Sequence, residues 1–109
     1  MNPKELEFNK NDDANRMLWS RYQKLAKQIH LGGGEKSQSK QRAKGKLTAR
    51  ERVNYLKDKD ADFLEIGTYA GYDMYPEYDG CPAGGVVGGI TQVAGRTCLV
   101  VANDATVKA

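Results

Sequence analysis

Apolar positions near the end of the chain are concentrated in two short runs separated by a turn. Residues 86–94 make the first run and residues 98–102 the second, which is apolar at every position. A strand of that kind needs cover on both faces, so the second run predicts a central strand. The intervening Ala94-Gly95-Arg96 is short and contains glycine, which predicts a hairpin between the two strands.

In the first third of the chain the apolar residues follow a helical period. Asp12 or Asp13 can accept hydrogen bonds at a helix N-terminus, and the three glycines of residues 32–34 predict its end. Spacings of four, three and four place the apolar residues between these points on one stripe: Leu18, Tyr22, Leu25 and Ile29. This pattern predicts a helical arm.

A basic segment follows the glycines and leads to a second helical pattern. Residues 35–46 carry five Lys and Arg and almost no apolar residues, which indicates a linker or a solvated helix. Thr48 and Glu51 have the spacing of a capping box, so a helix is predicted from there to about residue 57. Its buried stripe would be Ala49, Val53 and Leu56, and its outward side chains Arg50, Arg52 and Lys57.

Between this helix and the hairpin, the pattern predicts a short strand and a long loop. Residues 63–66 have the composition of a strand, and residues 69–85 are rich in Tyr, Gly, Pro and Asp. Tyrosines recur there at spacings of three, but Gly71, Pro76 and Gly80 argue against a helix. We expect these rings to pack over the sheet or in an interface.

Charge is distributed unevenly between the two parts of the chain. Residues 1–60 hold fifteen Lys and Arg against eight Asp and Glu, whereas residues 61–109 hold two against six. A basic arm attracts phosphate groups, whether of nucleic acid, a membrane surface or a nucleotide-bearing cofactor. Cys81 and Cys98 show no regular spacing, which favours a reduced, cytoplasmic location, and no apolar segment predicts a signal peptide or membrane span.

Few residues suggest catalytic chemistry. His30 is the single histidine and lies at the predicted end of the arm helix, so we expect no metal site. Neither cysteine has a local base beside it, and we predict no catalytic nucleophile. The glycines of residues 84–89 match neither known phosphate-binding pattern, and close approach of another backbone or a bulge is the favoured interpretation.

Three motifs in order give the chain a family resemblance: Gly-Gly-Gly-Glu-Lys at 32–36, Gly-Lys-Leu-Thr-Ala-Arg-Glu-Arg at 45–52 and Val-Ala-Asn-Asp-Ala-Thr-Val-Lys at 101–108. From about residue 15 onward the sequence resembles the N-terminus of the carboxyltransferase (β) subunit of biotin-dependent acyl-CoA carboxylases. The last motif, with Gly80-Cys81-Pro82 before it, looks more like the methylcrotonyl-CoA group. Arg42 stands where the family commonly has His, and Gln38-Ser39 replaces a more apolar and acidic pair.

The resemblance implies an α/β chain that begins a crotonase-like fold, in which two such domains, usually from different subunits, enclose the active site. Residues 1–46 would be the helical arm and basic linker, and residues 47–109 the start of the N-terminal carboxyltransferase domain. The implied reaction moves CO2 from carboxybiotin, held on a partner's carrier domain, to the deprotonated carbon of an acyl-CoA. Backbone amides in glycine-rich turns would stabilise the oxyanions. We expect those turns to lie beyond residue 109.

The implied substrate is 3-methylcrotonyl-CoA, with propionyl-CoA next, and the implied partners are a biotin carboxylase or biotin carrier subunit and further β subunits. Asn103, Thr106 and Lys108 are predicted to lie near the phosphate or adenine of CoA. An equally weighted alternative is that Asn103 and Asp104 form a turn while Thr106 bonds locally. We predict no catalytic residue in this chain, and expect it alone to be inactive.

Two other functions remain open from the sequence. The chain could be a non-catalytic adaptor that binds a carboxylase subunit through its arm. It could also be a small nucleic-acid-binding protein that uses the basic residues 36–52, although this segment has no aromatic residue on which bases could stack. The family resemblance favours the carboxyltransferase over both.

Overall fold

The computed structural model describes residues 2–78 and 80–107, which form three helices and a three-stranded antiparallel sheet. The helices are α1 Pro3–Ile29, α2 Glu35–Ala43 and α3 Ala49–Leu56, and the strands are β1 Leu64–Ile66, β2 Val86–Val93 and β3 Arg96–Asn103. Strand order in the sheet is β1-β2-β3. The hairpin and the short strand are where the sequence predicts them.

Helix α1 begins ten residues earlier than the sequence pattern predicts. The Asn2 side chain accepts from the backbone N–H of Glu5 at 2.8 Å, and the Glu5 carboxylate accepts from the N–H of Asn2 at 3.1 Å. Pro3 then occupies the first helical position, where its missing N–H costs nothing. Asp12 lies inside the helix and pairs with Arg16 at 2.9 Å, so the prediction of a cap at Asp12 or Asp13 is wrong.

The capping box predicted for α3 is confirmed. Thr48 accepts from the N–H of Glu51 at 3.3 Å, and Glu51 accepts from the N–H of Thr48 at 3.2 Å. Ala49 and Val53 are buried as predicted, but Leu56, the last residue of the helix, is 51% exposed, so its predicted burial is wrong. The preceding segment forms α2, a solvated helix with no buried residue.

The covered face of the sheet packs against α3. Val87 of β2 is 2% exposed and forms a core with Ala49 and Val53, against which Phe63, Val100 and Ala102 pack. The opposite face carries apolar side chains that nothing among the described residues covers: Leu64, Ile66, Val86, Ile90, Leu99 and Val101. The expectation that both faces of β3 are buried is therefore met on one face only.

The hairpin between β2 and β3 closes through a two-residue turn at Ala94 and Gly95, which have φ values of 52° and 76°. Positive φ at both central residues is typical of the turn that matches strand twist. Asp58, just after α3, holds this turn: its carboxylate accepts from the N–H of Ala94 at 2.7 Å and of Gly95 at 2.8 Å. The Asp58 N–H also donates to the carbonyl of Gln92.

Replacing Asp58 with alanine should lower the free energy of unfolding by about 1.5 kcal/mol, because the two turn amides lose a charged acceptor. Chemical denaturation of the purified chain followed by circular dichroism would measure the loss. Lys59→Ala, at the neighbouring exposed position, is the control and should change stability little. Equal stability of Asp58→Ala and the parent chain would contradict this role.

The tyrosine-rich segment is a loop with two short 3₁₀ turns, Pro76–Tyr78 and Pro82–Gly85, as its glycines and prolines indicate. Tyr69 packs its ring edge-on against Tyr22 of α1, with 5.5 Å between ring centroids. Its hydroxyl donates to the carbonyl of Tyr22 at 2.9 Å. This loop therefore helps to fix the C-terminal half of the arm helix to the rest of the chain.

Candidate functional site

A small cleft brings the loop after β3 next to the N-terminus of α3. Its volume is about 190 Å³. The lining residues come from the end of α2, the start of α3 and the loop after β3: Gln41, Lys46, Leu47, Thr48, Ala49, Arg52, Asn103, Asp104, Ala105 and Thr106. Two of the three residues predicted near CoA, Asn103 and Thr106, thus share one cleft with basic side chains that the sequence did not single out for this site.

The capped start of α3 determines which cations are available to the cleft. Glu51 accepts from the Nε of Arg42 at 3.0 Å in addition to its bond from Thr48. Hydrogen bonds from Thr48, and then from Arg42, hold the pKa of Glu51 below its ordinary value. Arg42 is therefore paired with a carboxylate, whereas Lys46 and Arg52 have no carboxylate partner among the ion pairs of residues 2–78 and 80–107.

Asp104, the acidic residue of the cleft, is engaged in organising its own loop. Its Oδ1 accepts from the N–H of Thr106 at 3.0 Å and from the Thr106 hydroxyl at 2.6 Å. The Asp104 N–H donates to the carbonyl of Gly85 at 2.8 Å. These bonds fix the loop against the start of β2, and they direct one oxygen of the carboxylate into the loop.

The triglycine turn after α1 packs directly on this loop. The N–H of Gly33 donates to the Thr106 hydroxyl at 2.9 Å. A Cβ built on Gly33 would overlap the carbonyl oxygen of Thr106, and one on Gly32 would lie 2.5 Å from Oδ2 of Asp104. Only glycines allow this close approach. The triglycine therefore ends α1 and also lets the arm contact the loop at residues 104–106.

The residues predicted near CoA have different positions. Asn103 ends β3 and is exposed at the cleft, opposite Val86. The Thr106 hydroxyl donates to Asp104, which is the local bonding of the alternative interpretation, and it also accepts from the distant Gly33. Lys108 lies outside the described residues. A role in CoA binding stays a prediction for all three.

A second polar cluster joins α1, α3 and β1 around Glu65. Arg50 contacts Oε1 of Glu65 at 2.7 Å, and Nε2 of His30 lies 3.3 Å from Oε2. Burial, the largest single effect, opposes the ionisation of Glu65, but the contacts from Arg50, Thr68 and His30 together lower the pKa of Glu65 below its ordinary value. The prediction that Arg50 reaches outward is wrong, because this buried carboxylate attracts it inward.

The chemistry that these sites offer is the binding of an anion. Lys46, Arg52 and the first amides of α3 offer positive charge and donors to an anion such as a phosphate group. Over residues 2–78 and 80–107 no group of three metal-ligating side chains comes together. The same residues include no helix that is long and apolar enough to cross a bilayer.

Comparison with known proteins places the chain among carboxylases. The profile described as "Carboxyl transferase domain" matches residues 40–109. A probable mitochondrial methylcrotonoyl-CoA carboxylase β chain from Drosophila melanogaster is 49% identical over 81 residues, 74% of this chain and 14% of that protein. A biotin-dependent 3-methylcrotonyl-coenzyme A carboxylase β1 subunit from Mycobacterium tuberculosis is 42% identical over 97 residues, 89% of this chain and 18% of that protein.

Solved structures agree. The β subunit of Pseudomonas aeruginosa geranyl-CoA carboxylase superposes with a TM-score of 0.78 at 30% identity, covering 93% of this chain and 18% of that one. Transcarboxylase 12S, described as a hexamer with hydrolysed methylmalonyl-coenzyme A bound, gives 0.72 at 34% identity, covering 81% and 18%. The chain spans less than a fifth of each of these relatives. The predicted crotonase-like fold is confirmed, and the chain belongs to the carboxyl transferase domain family.

Proposed function

We propose that this chain supplies the opening part of a carboxyltransferase β subunit, which moves CO2 from carboxybiotin to an acyl-CoA. The family match over residues 40–109 supports the reaction class. Relatives named methylcrotonoyl-CoA carboxylase β chains, at 38–49% identity, favour 3-methylcrotonyl-CoA as the acceptor, with propionyl-CoA next. This assignment concerns the subunit as a whole, and the described residues contribute binding surface to it.

Within that function, the cleft would hold a phosphate group of the CoA moiety. The observation that carries this role is the juxtaposition of Lys46 and Arg52 at the capped N-terminus of α3, where neither has a carboxylate partner among the described residues. Charge-assisted bonds from such groups to phosphate are among the stronger polar contacts in proteins. Asn103 and Thr106 would border the bound phosphate, and Lys108 would add charge from the loop that follows.

Bound carboxybiotin would supply the CO2 in this reaction. The role of the present residues is to bind the distal end of the acyl-CoA, which holds the substrate on the enzyme equally before and during the chemical step. We assign no proton transfer or oxyanion contact to the described residues.

The partners of the proposed subunit follow from its class. A biotin carboxylase or biotin carrier subunit would bring carboxybiotin to the site, and further β subunits would complete it. The hexamer named for the transcarboxylase 12S relative supports a homo-oligomer. A cytoplasmic location stays a proposal, because the names of three relatives state a mitochondrial one, and fractionation of the source cells would decide between them.

A chimeric enzyme tests the cleft. This chain would replace the matching segment of the Mycobacterium tuberculosis β1 subunit, and carboxylation of 3-methylcrotonyl-CoA would be assayed with that enzyme's own biotin-carrying partner. Arg52→Ala and Lys46→Ala should each raise KM for the acyl-CoA roughly tenfold and leave kcat within about twofold, because binding distant from the reacting carbon is lost equally in ground and transition states.

Lys59→Ala is the matched control for these variants, since Lys59 is an exposed lysine away from the cleft. Its KM should equal that of the unmodified chimera. Unchanged KM in both cleft variants would contradict phosphate binding there. An inactive chimera that still assembles with its partner would count against the proposed function itself.

A further inference from the structure

The N-terminal two thirds of α1 present large apolar side chains to solvent. Phe8 is 69% exposed and Trp19 is 65% exposed. The contacts that attach the helix to the rest of the chain lie towards its C-terminal end, at Tyr22 and His30. An exposed tryptophan and phenylalanine on one helix indicate a surface that a partner covers.

These two aromatic side chains belong to one face of the helix. Phe8 and Trp19 are eleven residues apart, which is close to three helical turns, so they point to the same side. Six residues on this side of the helix follow one another at alternating spacings of three and four, which is the spacing of a two-helix seam; three of them are aromatic and three are polar. The members of this arm seam are Glu5, Phe8, Asp12, Asn15, Trp19 and Tyr22.

Charge along α1 indicates what kind of partner fits the arm seam. Residues 3–13 contain four acidic and two basic side chains, whereas residues 14–29 contain four basic side chains and no acidic one. A second α1 running antiparallel would place each acidic half beside a basic half. A parallel copy would place like charges together, and a nucleic acid or an anionic membrane would be repelled by the acidic half.

We propose that α1 is a self-association surface, which pairs antiparallel with α1 of a second copy of this chain. The seam fits this arrangement: with Phe8 opposite Trp19 of the second copy, Asp12 lies opposite Asn15 of that copy and Glu5 opposite Tyr22. The seam consists of two series of positions seven residues apart, one at 5, 12 and 19 and the other at 8, 15 and 22. Every layer then pairs a residue of one series with a residue of the other, as antiparallel helix pairs require. The contact has two-fold symmetry, so the Phe8–Trp19 layer forms twice in one dimer.

The polar layer at Asp12 and Asn15 fixes the alignment of the pair. A polar residue within a helix seam selects one register at some cost in affinity. In this register the aromatic layers lie on either side of the two-fold axis, about 16 Å apart along the helix. The proposal uses only α1 and is independent of whether the cleft binds CoA.

Trp19 is the single tryptophan of the chain, which allows the contact to be measured directly. We expect the emission of the full 109-residue chain to shift to longer wavelength on dilution, as Trp19 is exposed by dissociation, with sedimentation equilibrium reporting dimer and monomer. Phe8→Ala should raise the dissociation constant roughly tenfold or more. Met17→Ala is the matched control: Met17 is 75% exposed on the opposite side of α1 and should leave dissociation unchanged.

Disulfide trapping tests the orientation, in a background where Cys81 and Cys98 are replaced by serine and alanine. An Asp12→Cys chain mixed with an Asn15→Cys chain should form a cross-linked heterodimer, whereas either chain alone should not. Cross-linking of each chain with itself would overturn the antiparallel arrangement. A monomer at about 100 µM, or a dimer that Leu99→Ser on the uncovered sheet face abolishes and Phe8→Ala does not, would overturn the proposed surface.

Discussion

Replacing Gly89 with alanine is expected to lower the free energy of unfolding by about 3 kcal/mol or more. Gly89 is buried in β2, where it pairs with Glu65 of β1. A Cβ built at this position would overlap the carbonyl oxygen of Leu64 and lie 2.7 Å from the ring of Phe63. Because one of these groups is backbone, a side-chain rotation cannot make room, and β1 must separate from the sheet.

Gly88→Ala is a control from the next position of the same strand. A Cβ on Gly88 would meet only the carbonyl oxygen of Val100, at an ordinary distance of 3.8 Å, and it would point to the uncovered face. Alanine is slightly favoured over glycine there because it has less backbone entropy to lose. Urea unfolding followed by circular dichroism would compare the two variants, and equal losses of stability would contradict the steric argument.

The contacts at Gly89 also show the structural role of a glycine in residues 84–89. The interpretation favoured from the sequence, that they permit close approach of another backbone, is confirmed at Gly89 by the carbonyl oxygen of Leu64. Asp104 approaches the same segment, since its N–H donates to the carbonyl of Gly85. Backbone atoms of Leu64 and Asp104 make these two contacts, and the pattern of glycines alone does not indicate which residues would approach.

Local signals predicted most of the secondary structure. The Thr48–Glu51 capping box and the glycine-containing turn at 94–96 each depend on residues close together in sequence, and both elements occur as predicted. The start of α1 differs from the prediction because Asn2 and Glu5 form a capping box, with Pro3 at the first helical position, well before the two aspartates at 12 and 13. A capping-box pattern that admits Asn as well as Ser and Thr at its first position predicts this start.

The candidate site was only half predictable. The motif at 101–108 indicated Asn103 and Thr106, but the cations beside them, Lys46 and Arg52, come from the first turn of α3 and the residues just before it, more than fifty residues earlier in the chain. The bond from Gly33 to Thr106 joins residues 73 positions apart. No periodicity or spacing reports a contact at that distance, because it depends on how α1, α3 and the sheet pack.

The sequence indicated that β3 favours burial, but it did not indicate which element would cover each of its faces. The continuous apolar run in β3 indicated cover on both faces, and α3 supplies it on one. Leu99 and Val101 on the other face are 70% and 64% exposed. The hydrophobic pattern of β3 shows that both of its faces favour burial, but it does not show which part of a protein would cover them.

Glu65→Gln should lower the free energy of unfolding at neutral pH by about 3 kcal/mol, because it leaves Arg50 without its charged partner in a largely buried position. The Glu65 side chain is 13% exposed and that of Arg50 is 22% exposed. The substitution preserves shape and volume, so the loss measures charge and hydrogen bonding rather than packing. It should also weaken the attachment of α1, since His30 contacts the same carboxylate.

The pH dependence identifies the carboxylate as the cause. The pKa of Glu65 is lower in the folded chain than its ordinary value, so the unfolded chain binds the proton more tightly. Its stabilising effect is therefore complete above the ordinary pKa of about 4.3 and is lost as the pH falls through the lower folded value. The difference in unfolding free energy between the parent chain and Glu65→Gln should shrink steadily below about pH 4.

Glu35→Gln is the matched control, because Glu35 is exposed at the start of α2 and belongs to none of the ion pairs of the described residues. Its effect should stay within about 0.5 kcal/mol at any pH. A difference for Glu65→Gln that persists unchanged to pH 3 would show that shape, and not ionisation, makes this position important. A difference that shrinks in acid would establish the charged link between Glu65 and Arg50 as the contact that joins β1 to α3.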